Sequence, residues 1–358
     1  MAGWLSRLFS SKPAPVKQPE PQVAIAAPEP EEAEPEIPEE PVSPSAAFPR
    51  ISWMQNDTLN ANFMHWLFEG NDESDLFANQ LEKEILAALD KIVSSNQAGS
   101  DLVRRMPGVI PQLMQSLRTD DFSGAELARK ISNDVVLVAA IIRIANSSLY
   151  KSTEAIDSIE HAVLVLGQAG LRQLITSVAF KPIIDLKSGH FTKSIAPKIW
   201  ELSEQCAVAN RMLAEGETVV AFEAFLVGLI QNVGLIVSLR VIDQLFDQKQ
   251  SIGSSSFCSS LVTYGRRISA SISREWNFPD SVVQAIEEQG SIPQQMEMSP
   301  LGSLLETGDY ISKIKILADQ QRLRMDDPDL TRGLSEKALA CLNEMNALSG
   351  PPATSPLE

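Results

Sequence analysis

Phe222-Glu-Ala-Phe225-Leu-Val-Gly228-Leu-Ile-Gln231-Asn232-Val-Gly234-Leu-Ile-Val-Ser-Leu-Arg240 sets the fold of this chain. Aliphatic side chains fall on every face of its middle, interrupted by two glycines and two amides. A helix apolar all round belongs inside a bundle. The run is shorter, and more polar at its centre, than the roughly 20 apolar residues of a membrane span. It reads as the central helix of a helical domain. The residues at 231 and 232 then bear on whether that domain does chemistry.

Outward from this stretch the 3.6-residue period repeats and no alternating strand pattern of useful length occurs, so the expected class is all-α. Leu59, Phe63, Trp66 and Leu67 predict a helix over about 57–69. Phe77, Leu81, Ile85, Leu89 and Ile92 predict another over about 74–95. Two helices cannot enclose a core, so this pair, within 50–100, should pack on the helices C-terminal to it. Met106-Pro-Gly-Val-Ile-Pro111 is extended, because residues before proline avoid the α region. Ser123-Gly-Ala-Glu126 is a capping-box sequence. Val135 to Asn146, capped by Asp134, is apolar on nearly every face and should be buried. Ser158–Leu166 turns through Gly167-Gln-Ala-Gly170 into a helix over 171–186. Further helices are expected around Trp200, over 257–276, after Pro279, over 301–318 and over 334–347.

Residues 1–49 differ in kind. They hold eight glutamates against three basic residues, a net −5 of the chain's −16, and residues 13–49 hold eleven of its 22 prolines. Such a segment cannot bury enough apolar surface to offset its ordering entropy, so a disordered acidic tether is expected, as is a disordered tail over 351–358. Trp4, Leu5, Leu8 and Phe9 share one helical face, which suits a short docking helix for a membrane or a partner. The competing reading is a frayed terminus, since so short a helix is marginal in water.

The acidic balance argues against a nucleic-acid binder, which would show a basic stripe. Arg104-Arg105 and Arg266-Arg267 are too few for a groove that tracks phosphates. Cys206, Cys258 and Cys341 are odd in number and widely spaced, which points to a reducing cytoplasm. No secretory signal pattern is present at the start. No Walker A lysine, G-x-G-x-x-G, G-x-S-x-G or H-E-x-x-H occurs. Asn146 and Ser147, with Asp309, are candidates for a polar binding corner; against this stands the plainer reading of a helix cap and turn.

The order of six segments resembles the HDOD domain, a bacterial signalling relative of the HD phosphohydrolases. They are MPGVIP at 106–111, ISNDVVLVAAIIRIANSSLY at 131–150, SIEHAVLVLGQAGLRQLI at 158–175, IWELSEQCAVANRML at 199–213, FLVGLIQNVGLIVSL at 225–239 and REWNFPDSVVQAI at 274–286. The resemblance implies an HD-like helical bundle over 101–290, preceded by the helical pair and continued by a helical extension over 291–350. HD enzymes hold metal ions with a His, an adjacent His-Asp pair and a distal Asp, a set that lowers the pKa of bound water and clamps a phosphate. Here the pair falls on Gln231 and Asn232, and the earlier His falls near Leu202. The histidines that some relatives carry after the Trp-x-x-Pro segment fall near Gln289. Only Asp309 matches the distal carboxylate.

Amide nitrogens do not bind metals, and an amide oxygen carries no charge to balance a dication. One Asp cannot make a three-ligand site. His65, His161 and His190 lie outside the motif. Gln and Asn can instead bond to buried neighbours, so the pair reads as a polar lock, with a small-ligand pocket as the competing idea. The expectation is a non-catalytic regulator that binds protein partners and needs no cofactor. The alternatives are a metal-dependent phosphohydrolase acting on nucleotides or cyclic dinucleotides with relocated ligands, and a nucleic-acid-linked regulator.

Overall fold

The computed structural model describes residues 51–69, 76–94, 135–147, 155–184, 189–246, 251–291 and 297–348. The readings of Trp4, Leu5, Leu8 and Phe9, the tether, the 106–111 segment, the Ser123 capping box and the last eight residues lie outside these. Among the described residues every regular element is a helix.

Helix α1, Trp53–Leu67, begins four residues before the expected start. Ser52 and Gln55 form a capping box there, which satisfies backbone donors that the hydrophobic stripe alone does not reveal. Helix α2, Gln80–Ser94, starts later than expected, and Phe77, assigned to its buried stripe, is 84% exposed. Asn79 and Glu82 set the boundary. The Asn79 side chain accepts from the Glu82 N–H at 2.9 Å and the Glu82 carboxylate accepts from the Asn79 N–H at 2.9 Å. Phe77 therefore precedes the helix and has no place on its stripe.

Helix α3, Val135–Ala145, departs from the expectation of burial on nearly every face. Where side chains are described it buries one face, through Ile141, Ile144 and Ala145, and exposes Ala139 and Arg143. Helix α4, Ile159–Ile184, pairs with α3 and breaks at Gly167, whose φ of 69° is readily adopted only by glycine. Helix α5, His190–Ala214, is the spine of the bundle and packs on most of the helices C-terminal to it. Its N-terminus has no local side-chain cap. Asp243, 51 residues on, accepts instead from the N–H groups of Phe191 and Thr192 at 2.8 and 3.0 Å. A carboxylate at a helix N-terminus is favoured by the helix dipole.

The run expected as one central helix is two: α6, Ala221–Ile230, and α7, Val233–Leu245. The break falls on Gln231 and Asn232. By length and composition the stretch Ala221–Leu245 does reach the range of a membrane span. Packing distinguishes it, since 89% of its apolar window is buried within the bundle. Gly234 makes the closest packing possible: a Cβ there would lie 2.0 Å from the carbonyl oxygen of Gly265. Helix α8, Ser255–Glu275, carries Gly265, and helix α9, Asp280–Ser291, comes next in the chain.

Helix α10, Pro300–Asp319, packs on α5, α6, α9 and α1, and almost all of its middle is buried. A short turn of helix, α11 (Pro328–Thr331), leads to α12, Glu336–Leu348, which packs on α5 and α10. The helical pair α1 and α2 joins the same core, α1 through α10 and α8, α2 through α8 and α7. The Gln55 amide closes this arrangement by donating to the carbonyls of Asp329 and Arg332 at 2.7 and 2.9 Å.

Candidate functional site

One cleft gathers the motif positions. Leu202 comes from α5, Gln231 and Asn232 from the α6–α7 junction, and Arg266 and Lys313 from α8 and α10. Asn60 and Phe63 of α1 form the remaining wall. The cleft encloses about 370 Å³ of empty space up to its open mouth, and its interior admits roughly one or two waters.

Ser269 of α8 builds the junction. Breaking a helix frees a carbonyl and an N–H, and buried backbone groups need partners. The Ser269 hydroxyl donates to the Gln231 carbonyl at 2.6 Å and accepts from the Gly234 N–H at 2.8 Å. The close approach of Gly234 to Gly265 brings that hydroxyl within reach. The Asn232 carboxamide, turned by the break, donates to Ser203 of α5 at 3.3 Å.

Gln231 is buried, and its amide nitrogen has two acceptors at 3.1 Å, the Cys206 sulfur and Oδ1 of Asp309. The resemblance sets Asp309 opposite the motif pair, and the structure brings it into direct contact with Gln231. Its other oxygen, Oδ2, accepts from the Lys313 ammonium at 2.5 Å and lies 3.7 Å from the Arg266 guanidinium. Lys313 also donates to Asn60 Oδ1 at 2.6 Å and stands 5.8 Å from the centroid of the Phe63 ring. Burial pulls the Lys313 pKa down, and the charge of Asp309 opposes that fall. Burial pushes the Cys206 thiol well above its usual range, and the Asp309 charge adds to the rise.

The grouping of Asn146 and Ser147 with Asp309 does not hold. Asn146 donates to the carbonyls of Ile142 and Ile156 at 2.9 and 2.7 Å and accepts from the Ile156 N–H at 2.8 Å. Ser147 donates to the Ile144 carbonyl at 2.7 Å. This geometry is a cap on α3 that holds the approach to α4, while Asp309 pairs with Gln231 and Lys313. Gln289 donates to the carbonyls of Ala285 and Gly302 and receives Arg266 on its own carbonyl at 2.7 Å.

None of the three histidines lines the cleft. His161 lies 3.2 Å from Asp157, and His190 stacks near Phe246. Among the described residues no three His, Cys, Asp or Glu side chains stand together as a metal site would require. The motif positions hold two amides, a leucine and one carboxylate already bound to a cation. That set does not fit a divalent metal, which needs several anionic or imidazole ligands.

Arg266 and Lys313 escape a reading of the sequence. Arg266 looks like half of an ordinary basic doublet. The spacing of Asp309 and Lys313, four apart on a largely apolar helix, was the available signal.

The chain is similar to known proteins. A family model for the HDOD domain matches residues 103–292. A curated protein of Treponema pallidum (strain Nichols), described as uncharacterized, is 20% identical over 223 residues. The match takes in 60% of this chain and 42% of that protein, so the chain spans less than half the length of the curated relative. Among solved structures, a candidate phosphohydrolase from Shewanella amazonensis SB2B superposes with a TM-score of 0.52 at 21% identity, covering 74% of this chain and 95% of that one. An HDOD domain protein of unknown function from Geobacter sulfurreducens gives 0.52 at 16% identity, covering 74% and 92%. At these identities the likeness is one of fold.

Proposed function

Because the chain belongs to the HDOD domain family, we propose that it is a regulatory member that recognises protein partners in bacterial signalling and does not turn over a substrate. One observation carries the reading. The Asp309 carboxylate, the one acidic group at the motif positions, is engaged by Lys313, Gln231 and, at longer range, Arg266. A dication binding there would have to displace a buried ammonium and then make do with neutral amides. Both steps oppose binding: the ammonium would be left without its counter-charge, and the metal's charge would stay uncompensated. Gln231 and Asn232 serve in this reading as structural groups that hold the helix break and the ion pair. The three buried thiols suit a reducing cytoplasm, where we place the protein.

The test is turnover. The purified full-length chain, supplied with Mn²⁺ or Mg²⁺, is offered nucleotides and cyclic dinucleotides, and its metal content is measured by elemental analysis. We expect no hydrolysis above the no-protein control and no stoichiometric metal. Metal-dependent hydrolysis with a bound ion would establish the phosphohydrolase alternative in its place.

A further inference from the structure

The charge on the cleft wall is unbalanced. Lys313 and Arg266 bring two cations to it, and Asp309, which does not line the cleft, is the carboxylate that meets them. The carboxylate is committed to the nearer cation. Lys313 holds Oδ2 at 2.5 Å, while the Arg266 guanidinium stands 3.7 Å from the same oxygen, beyond hydrogen-bond range. Arg266 is held in place by the donation of Nη1 to the Gln289 carbonyl, which leaves a charge that a neutral carbonyl does not cancel. Glu306 is joined to the wall through two amides: Asn60 donates to Asn56 at 3.1 Å, and Asn56 to Glu306 at 3.4 Å. Glu306 is not part of the cleft wall. The other groups on that wall are apolar side chains and the amides of Asn60, Gln231 and Asn232.

A half-buried arginine facing an open cleft, beside a buried ammonium and flanked by amide donors, is the chemistry that grips an oxyanion. A guanidinium presents its N–H groups in a planar fork that matches two oxygens of a phosphoryl or carboxylate group. Low surrounding polarity strengthens each such contact. We propose that this cleft binds the phosphoryl group of a small phosphorylated molecule, with Arg266 as the principal contact and Lys313 supporting it. A phosphoryl group is favoured over a carboxylate because it can give two oxygens to the Arg266 fork and still turn a third toward Lys313. The interior has room for only a water or two, so the oxyanion sits at Arg266 and the rest of the ligand lies toward the mouth. The inference rests on the non-catalytic reading, since it keeps the Asp309–Lys313 pair intact.

Inorganic phosphate is the probe, titrated into the full-length chain at constant ionic strength, with acetate as the carboxylate arm. Heat of binding and thermal melting are both recorded. We expect saturable phosphate binding, a phosphate-dependent rise in Tm, and no comparable response to acetate. R266Q should weaken phosphate binding at least about tenfold, and R266K, which keeps the charge but loses the fork, should fall between. D309N, compared under conditions where it is folded, should act in the opposite direction and tighten binding several-fold, because it removes the charge that repels the anion. A purely structural role for these residues would not give opposite signs. The inference is overturned if phosphate gives no saturable response, if acetate binds equally, or if folded R266Q binds as the parent does. Such a result leaves the turnover experiment untouched, and only hydrolysis there would remove the non-catalytic reading.

Discussion

Lys313 shows how much one side chain decides here. Its side chain is 7% exposed, and its ammonium meets the Asp309 side chain, 6% exposed, one helical turn away. Removing one partner of a buried pair leaves an uncompensated charge, whereas removing both leaves none. K313M should therefore lose about 3–5 kcal/mol of stability, while D309N/K313M recovers much of that loss. Urea unfolding of the three proteins checks this, and a K313M midpoint equal to the parent's would contradict it. Gln231 and Asn232 were legible as positions because an ordered motif carries them, and Asp309 only as a match to the distal carboxylate that the resemblance implies. The role of Lys313 was not. The same helix bears a second pair with the same spacing, Lys315 and Asp319, and spacing alone does not say which pair faces the cleft. Burial separates them, since Asp319 is 43% exposed.

Helices in this bundle are often capped from far away in the chain. Glu82 is fully buried and caps its own helix, yet the same carboxylate accepts from the N–H groups of Gly253 and Ser254 at 2.8 and 2.9 Å and from the Ser254 hydroxyl at 2.7 Å. One side chain thus ties the start of α2 to the start of α8. E82Q puts an amide donor where donors converge and removes the charge that favours two helix N-termini. We expect a loss of about 2–3 kcal/mol, with faster amide hydrogen exchange over α2 than over α5. Unchanged exchange in α2 would mean the tie is unimportant. The local half of this device, Asn79-x-x-Glu82, can be read from the sequence; the half that spans 172 residues cannot. The central run misleads for a related reason. Its apolar pattern continues across Gln231-Asn232, and the group that supports the break, Ser269, lies on another helix.

At the scale of the whole molecule, the class, the order of helices and the family were all legible, because helical period and motif order survive without knowledge of packing. The cleft was legible only in part, because its walls come from segments whose pairing no local pattern encodes. The buried thiols give a property of the entire fold. Burial raises Cys258 and Cys341 to about 12 and Cys206 well above 9.0. A folded pKa above the unfolded one gives stability that is complete below the unfolded value and is lost as pH rises toward the folded one. Each thiol contributes a slope of about 1.4 kcal/mol per pH unit across that window. Lys313, whose pKa is lowered, works the other way below 10.5, but it is one group against three. Urea midpoints should therefore fall between about pH 8 and pH 10.5, and a thiol reagent should react with the native chain only as fast as it unfolds. A flat profile would contradict this. The cleft also has a history in time. Asn60 and Lys313 lie 253 residues apart, and α10 falls outside the matched family segment that ends at 292. On the ribosome, a nascent chain cannot assemble the wall until α10 has emerged, so α1 must wait more than 200 residues for one of the helices it will pack on.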